Sequence, residues 1–407
     1  MLILNENYSN FSNLLSKGMG SNIFAKKKYF DLSSGGGCQI LGHNNKIFKD
    51  SLRLFLKNEY SNFSAPNLHA NRFAESLSKL YPQFEKFIFC NSGAEANIKA
   101  LRICRALTKK DLVASVAGSW HGSVDQFLFQ SNKKLKPIPI SEGLVSGYKN
   151  KIIFLPFNKF SKTKQILNKF KSKLSCVFFE PIQGCLPSPE SEKYYNFLRN
   201  ECIKKKIPLV LDEIVTGLRI NGDSFQNKLN NYSDLATFGK CFGNSLPISF
   251  IGISKKIYKK IKKNKIKLYF GGTYSGNSLS TYVANKNLIF LKKNKTKIID
   301  KINNIAKNFS LRLSKFINNQ SIDAKIYYYE SIMRIVFSNK YIDSRVQRDF
   351  LEKKNLTRLL RFKKFLWNKG IYYPSNGIIF FSYSMKEKDL ENAFNLISLG
   401  LKKYFSK

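Results

Sequence analysis

Two segments of the 407-residue chain hold residue types that could do chemistry together. In Leu209-Val210-Leu211-Asp212-Glu213-Ile214 an apolar run ends abruptly in carboxylates. In Thr237-Phe238-Gly239-Lys240-Cys241-Phe242-Gly243 a lone lysine sits among small and apolar residues. A buried carboxylate can hold a cation, and a buried amine loses affinity for its proton and so becomes a better nucleophile. Asp212 and Lys240 therefore suit a site built around a cationic, electron-withdrawing cofactor. Three more stretches offer complementary parts. Ser92-Gly93-Ala94 follows an apolar run at 87–90 and precedes Ile98, Leu101, Cys104 and Leu107 at helical spacing. N–H groups at such a helix start can take an anion, and Ser92 can equally act as an N-cap. Gly118-Ser119-Trp120-His121-Gly122 places an indole in a small-residue loop, where it can stack on a flat ring. Glu180 and Gln183 emerge where the apolar run 176–179 is stopped by Pro181.

The elements that must position these residues are legible in outline. Strands are expected at 29–32, 87–90, 112–115, 176–179 and 208–211, and helices at 73–80, from Ile98 on, and at 194–204. Apolar strands alternating with helices from about 86 to 254 predict an α/β fold, with a mostly parallel sheet and helices on both faces. Ligands in such sheets sit beyond the carboxyl ends of the strands, where every candidate above lies. A short helix is expected before the strand at 29–32. Ser33-Ser34-Gly35-Gly36-Gly37 lacks G-x-G-x-x-G spacing and reads as a turn or substrate-approach loop, and His43 beside Gly42 reads as structural. Residues 131–150 read as a polar loop over the site. From about 280 a long helix leads to a second α+β region. Its strands are expected near 325–329, 333–337 and 378–382, and its helices near 346–368 and 387–403.

Composition narrows the function classes. There are 69 basic and 27 acidic side chains, a formal charge of +42. The excess is mostly Lys spread along the whole chain, and its field would favour an acidic small-molecule substrate. The densest run, 255–263, has Ile257 and Ile261 four apart and reads as the solvated face of a helix. A nucleic-acid-binding protein would need basic residues interleaved with exposed aromatics on one face, and no such stripe is evident. Seven Cys without a CxxC motif point to a reducing compartment, the cytoplasm. Residues 1–20 lack a secretory pattern, and no apolar stretch approaches the roughly 20 residues that span a bilayer. No metal is expected.

The parts in hand answer the needs of pyridoxal 5'-phosphate. Its aldehyde needs an amine (Lys240), its pyridine nitrogen a carboxylate (Asp212), its phosphate N–H and hydroxyl donors (Ser92, Gly93, Ala94), and its ring an aromatic face (Trp120). The segments Asn91-Ser92-Gly93-Ala94-Glu95-Ala96, Trp120-His121-Gly122, Glu180-Pro181-Ile182-Gln183-Gly184, Asp212-Glu213-Ile214-Val215-Thr216-Gly217-Leu218-Arg219, Phe238-Gly239-Lys240 and Gly272-Thr273-Tyr274-Ser275-Gly276-Asn277 occur in this order over about residues 35–285. In them the chain resembles the fold-type I, class III aminotransferases, most of all their glutamate-1-semialdehyde aminomutase branch. The resemblance implies a seven-stranded-type sheet in a large cofactor-binding domain at 42–285. It implies an N-terminal segment at 1–41 that joins a small α+β domain, with the linking helix and that domain at 286–407. It also implies a homodimer. Lys240 would be the Schiff-base lysine and Asp212 the partner of the pyridine nitrogen. Ser92, Gly93 and Ala94 would bind the phosphate, and Thr273 would reach the phosphate of the partner subunit's cofactor. Trp120 stands at the ring-stacking position, where the family commonly has Tyr or Phe. Gln183 resembles the aminotransferase residue near the ring hydroxyl, where the aminomutase branch more often has a small residue. His121, Glu180 and Ile214 complete the implied cofactor-binding set. The chain departs from the aminomutase pattern at Tyr373-Pro374-Ser375-Asn376-Gly377-Ile378-Ile379-Phe380, which has no acid. The expected activity is amino transfer between an amine or amino acid donor and a carbonyl acceptor. The alternative is intramolecular transfer of the aminomutase type.

Overall fold

The strands Leu112–Val116, Leu174–Phe179, Leu209–Glu213 and Leu235–Phe238 are buried almost end to end. That is the pattern of parallel strands covered on both faces. They belong to a seven-stranded sheet in the computed structural model, which describes residues 11, 13–63 and 65–406. Across this sheet the order is Phe84–Cys90, Ser249–Ser254, Leu235–Phe238, Leu209–Glu213, Leu174–Phe179, Leu112–Val116, Ile152–Leu155. Ser249–Ser254 runs antiparallel to both its neighbours, and the remaining pairs are parallel. The chain is therefore α/β with a mostly parallel sheet.

The helix Gly93–Thr108 covers one face. Its Ala96, Ala100 and Cys104 share a core cluster with Val113, Phe178, Val210 and Leu235. An aromatic layer fills the other face, where Phe238 stacks on Tyr81 at 4.7 Å and on Phe250 at 5.0 Å. Because strand side chains alternate, Thr237 and Phe238 face opposite sides, and so do Asp212 and Glu213.

Two units partition the chain. The sheet lies in the unit formed by Ile47–Gln183 and Pro189–Lys295; the other comprises Met1–Lys46, Gly184–Ser188 and Thr296–Lys407. The second unit has a four-stranded sheet, Lys17–Met19, Asn22–Phe24, Lys28–Asp31 and Ile371–Tyr372, and an antiparallel three-stranded sheet, Lys325–Tyr329, Ile332–Val336 and Ile378–Phe380. Its core gathers Leu313, Met333, Phe362, Tyr373, Phe381 and Ile397. Here Asp31 accepts from the N–H and hydroxyl of Ser33 at 2.7 Å and from Gly35 N at 3.0 Å, and its Oδ2 lies 2.8 Å from His43 Nε2. His43 thus braces the 33–37 loop, in line with its structural reading.

Several expectations need correction. The short N-terminal helix falls partly outside the described residues, and within them 17–24 is a β-hairpin. Residues 131–150 are not simply a loop: Phe129–Ser131 pairs with Pro137–Pro139, and Asn132 Oδ1 closes the turn by accepting from Lys134 N and Lys136 N, both at 2.9 Å. Leu135, Leu144 and Tyr148 of this segment pack against the sheet's own core cluster. The long helix from 280 is two helices, Ser278–Lys293 and Lys295–Asn319, separated at Asn294. The helix expected at 346–368 breaks between Arg345–Lys353 and Leu356–Asn368, where Asn355 Nδ2 donates to Phe337 O at 3.1 Å. Helix Lys46–Lys57 and strand Ile152–Leu155 were not anticipated.

Gly252, in the antiparallel strand, has no room for a side chain: a Cβ there would sit 2.5 Å from the ring of Phe84. We expect Gly252→Ala to lower unfolding stability by about 2 kcal/mol through overpacking. Chemical denaturation compared with Phe84→Leu/Gly252→Ala would check this, because the smaller partner should recover part of the loss.

Candidate active site

Five loops leave the same edge of the large sheet, each carrying residues singled out in the sequence. The first is the start of helix Gly93–Thr108. Ser92 is its N-cap, with Oγ accepting from Glu95 N at 3.2 Å. Glu95 Oε2 accepts from Asn91 N at 2.8 Å, a variation on the reciprocal capping box. The N–H groups of Gly93 and Ala94, the next two donors of this 16-residue helix, meet no acceptor among the described residues. They make the positive end of the helix available to an anion.

The loop at 117–123 meets this helix start directly. Gly122 has φ +91°, and a Cβ on it would lie 2.7 Å from Ala94 Cβ. A glycine is thus required both for its backbone conformation and for the close approach. Trp120 N donates to Glu180 Oε2 at 2.8 Å, while its side chain is 49% exposed. Gln183 Nε2 donates to Ala117 O at 3.0 Å and to Ser119 Oγ at 3.3 Å. Glu180 and Gln183, both buried, therefore hold the loop that presents Trp120.

Asp212 ends strand Leu209–Glu213 and is 3% exposed. Its Oδ2 accepts from Asn97 Nδ2 at 2.7 Å and lies 2.7 Å from His121 Nδ1. Its Oδ1 accepts from Ile214 N at 3.2 Å and lies 3.4 Å from Thr237 Oγ1. The far side of the imidazole, Nε2, lies 3.2 Å from Ser115 Oγ. Ile214 packs against two neighbouring loops: a Cβ on Gly93 would meet its Cδ1 at 3.0 Å, and one on Gly239 would meet the same atom at 3.4 Å.

Lys240 follows in the next parallel strand. Phe238 pairs with Glu213, so the turn holding Lys240 starts beside the Asp212 loop. The residue adopts a left-handed backbone, φ +45°, which costs a non-glycine residue roughly 1–2 kcal/mol. Its surroundings hold it there. Phe242 N donates to Gly239 O at 3.2 Å, Gly243 N to Lys240 O at 3.0 Å, and Asn287 Nδ2 to Cys241 O at 2.7 Å. Such strain at a short turn is typical of residues placed for chemistry.

Thr273 stands in a different setting. It is exposed and lines a cavity of about 630 Å³ with Phe63, Asn67, Tyr269 and Ser275. Its loop is tied to the helix start, because Ser275 Oγ donates to Glu95 Oε1 at 3.3 Å and Lys99 Nζ bridges Glu95 Oε1 at 2.5 Å and Phe270 O at 2.9 Å. Burial would raise the Glu95 carboxyl, but hydrogen bonds from Lys99, Asn91 N and Ser275 together bring it below its ordinary value. Asn97, Thr237, Ser115 and Lys99 were not singled out from the sequence. Their only sequence signal is polarity inside otherwise apolar helix and strand faces.

Asp212 and Glu213 are adjacent in sequence and opposite in role. Glu213 is fully buried on the aromatic side of the sheet. It accepts from Thr216 Oγ1 at 2.8 Å, Phe225 N at 2.7 Å, Gln226 N at 3.2 Å and Gln226 Nε2 at 3.0 Å. Burial pushes its carboxyl up to about 7 even against these four donors. It anchors the turn after the strand and takes no part in the converging loops.

The fold and this edge of loops define an aminotransferase-type enzyme. The Aminotransferase class-III family matches residues 3–326, and the chain belongs to that family. A glutamate-1-semialdehyde 2,1-aminomutase of Archaeoglobus fulgidus is 27% identical over 397 residues, covering 95% of this chain and 92% of that protein. An omega-transaminase from Sphaerobacter thermophilus superposes with a TM-score of 0.87 at 20% identity, covering 96% of this chain and 91% of that one. A glutamate-1-semialdehyde-aminomutase variant from Pseudomonas aeruginosa PAO1, solved in complex with PMP, gives a TM-score of 0.85 at 16% identity over 97% of this chain and 88% of that one. These structures share the fold-type I architecture with this chain. No helix among the described residues is long and apolar enough to cross a membrane.

The raised Glu213 carboxyl links stability to pH. Its folded value of about 7 lies above the ordinary 4.5, so its contribution is complete below about 4.5 and is lost as pH rises through about 7. We expect the stability of the wild type relative to Glu213→Gln to fall by about 3 kcal/mol between pH 4.5 and about 8.5, read by denaturant titration at each pH. Gly122→Ala should displace the Ala94 N–H from its present position and weaken phosphate-monoester binding by about tenfold, measured by equilibrium dialysis with pyridoxal phosphate.

Proposed function

We propose that this chain transfers an amino group from a small-molecule amine or amino acid to a separate carbonyl acceptor, with pyridoxal 5'-phosphate held at the edge of the large sheet. The residues fit that cofactor. A buried carboxylate, two helix-start N–H groups without a protein acceptor and a half-exposed indole match its pyridine nitrogen, its phosphate and its ring. The single observation that carries the reading is the anchored Asp212 carboxylate, placed one strand from a lysine held in a left-handed turn. When bound, the cofactor supplies an electron sink for the bond-breaking at the substrate carbon.

The roles of the chain's own residues follow from their chemistry. Lys240 anchors the cofactor through its Nζ and then carries the proton removed from the substrate carbon, acting as base and then as acid. Asp212 would hold the pyridine nitrogen and favour its protonated form. Ser92, Gly93 and Ala94 hold the phosphate, Trp120 covers one ring face, and Glu180, Gln183, His121 and Ile214 fix the loops around it. The reading also makes the enzyme a homodimer, in which Thr273 serves the partner's site. Phe63, Leu68, Tyr269 and Tyr274 support this, since these large apolar residues are more than half exposed on and beside the cavity that Thr273 lines. Seven free thiols accord with a cytoplasmic enzyme.

A second reading, intramolecular amino transfer, is favoured by the nearly full-length similarity to a glutamate-1-semialdehyde aminomutase. Against it stand Gln183, where that branch more often has a small residue, and the acid-free segment 373–380.

A half-reaction screen tests the proposal. Candidate amines are mixed singly with the pyridoxal-loaded enzyme, and conversion of the aldehyde cofactor to its amine form is followed by absorbance. Net delivery of the amino group to an added keto acid is expected; isomerisation without an external acceptor would establish the second reading instead. Lys240→Ala should abolish the visible band and reduce turnover by at least about 10³-fold. A band that survives this substitution would overturn the assignment of Lys240.

A further inference from the structure

Asn97, Thr237 and His121 form buried hydrogen bonds around Asp212. Asn97 is 1% exposed and Thr237 is wholly buried. Thr237 is the register partner of Asp212 on the adjacent parallel strand. Asn97 Nδ2 faces two acceptors that cannot donate, Asp212 Oδ2 at 2.7 Å and the carbonyl of His121 at 3.0 Å. Its Oδ1 is 2.7 Å from Thr237 Oγ1, which donates to it. The amide orientation is therefore forced by its neighbours.

The same logic extends to the imidazole. Asp212 Oδ2 can only accept, so His121 Nδ1 carries the proton in the contact at 2.7 Å. Nε2 lies 3.2 Å from the hydroxyl of Ser115. Edge-on contacts from Phe127 at 5.1 Å and Phe178 at 5.3 Å leave the ring little freedom to turn.

We propose that Asn97 and Thr237 are positioning residues for the reaction: with His121 they lock the rotation and the charge of Asp212, so that it meets the cofactor's ring nitrogen as a fixed anion. This rests on the proposed cofactor reading. Asn97 acts by donating to the carboxylate and by bracing the His121 backbone. Thr237 acts through Asn97, because its hydroxyl is what keeps the amide from flipping and presenting an oxygen to Asp212. Loss of either leaves the carboxylate with one strong donor fewer, so that its charge is less shared and its rotation less firmly held. The positive charge on the ring nitrogen is then more fully neutralised, and the bound cofactor holds its own proton to higher pH.

Two measurements on the full chain test this. The first needs no cofactor. With only three histidines in the sequence, ¹⁵N-histidine NMR of the cofactor-free protein can resolve His121. A proton on Nδ1 is expected in the wild type, with the ring ¹⁵N shifts moved in Thr237→Val and restored in Thr237→Ser. The second measures the pH midpoint of the visible absorbance of pyridoxal-loaded protein. In Asn97→Ala and Thr237→Val this midpoint is expected to rise by on the order of one pH unit, and to return to the wild-type value in Thr237→Ser. A merely structural role would lower the melting temperature and leave the midpoint in place. An Nε2–H tautomer, or Thr237→Val spectra identical to the wild type in the NMR arm, overturns the proposal. So does an unmoved midpoint in both variants. Absence of any visible band in the loaded wild type would instead refute the cofactor reading, and the NMR arm would still decide whether the lock exists.

Discussion

The constraint on which the site depends is the burial of one carboxylate, Asp212, at the end of a central strand. A buried carboxylate is tolerated only where donors replace the lost water. No single element can supply them, so helix Gly93–Thr108, the 117–123 loop and strand Leu235–Phe238 must all arrive at the same place. Parallel strands do this naturally, since their carboxyl ends lie along one edge and each is followed by a loop. The sheet order puts strand Leu209–Glu213 between Leu174–Phe179 and Leu235–Phe238, so its loop is flanked by those carrying Glu180 and Lys240.

The alternation of a strand explains why two neighbouring carboxylates do different things. Asp212 shares its side of the sheet with polar residues, while Glu213 is turned into the aromatic layer near Tyr81 and Phe225. Glu213 satisfies the N-terminal N–H groups of the short helix Phe225–Leu229, a structural task, and burial raises its carboxyl in spite of these donors. An elevated acid near an active site is often read as a catalytic one. Here geometry separates the two: Glu213 faces away from the converging loops.

Much of this was legible in the sequence, for a physical reason. Strands buried on both faces are near-continuous apolar runs, and a polar residue that interrupts their carboxyl end stands out, as Asp212, Glu180 and Ser92 do. Asn97 and Thr237 did not stand out. Asn97 lies within a helix whose apolar period is unbroken around it, and its partners are 115 and 140 residues away, beyond the reach of any local pattern. Similar reasoning applies to the missed elements. Helix Lys46–Lys57 mixes charged and apolar residues and buries only Phe48, Ser51 and Phe55. The hairpin at 129–139 turns on an Asn-Lys-Lys segment that lacks glycine at its corner, so Asn132 must close it with its side chain. Helix breaks at Asn294 and Asn355 are likewise set by side-chain hydrogen bonds, which periodicity does not report.

The pair Lys99 and Glu95 shows why the helix Gly93–Thr108 cannot be considered alone. Lys99 is buried and Glu95 only partly so, and an ion pair in such a setting contributes little net stability, since desolvation offsets much of the attraction. Removing one partner, however, strands the other charge. Such a pair therefore specifies an arrangement more than it strengthens it. Its arrangement is particular: Lys99 holds the carbonyl of Phe270, and Glu95 holds the hydroxyl of Ser275, so the ends of the loop bearing Thr273 are fastened to the first turns of the helix that begins at Gly93.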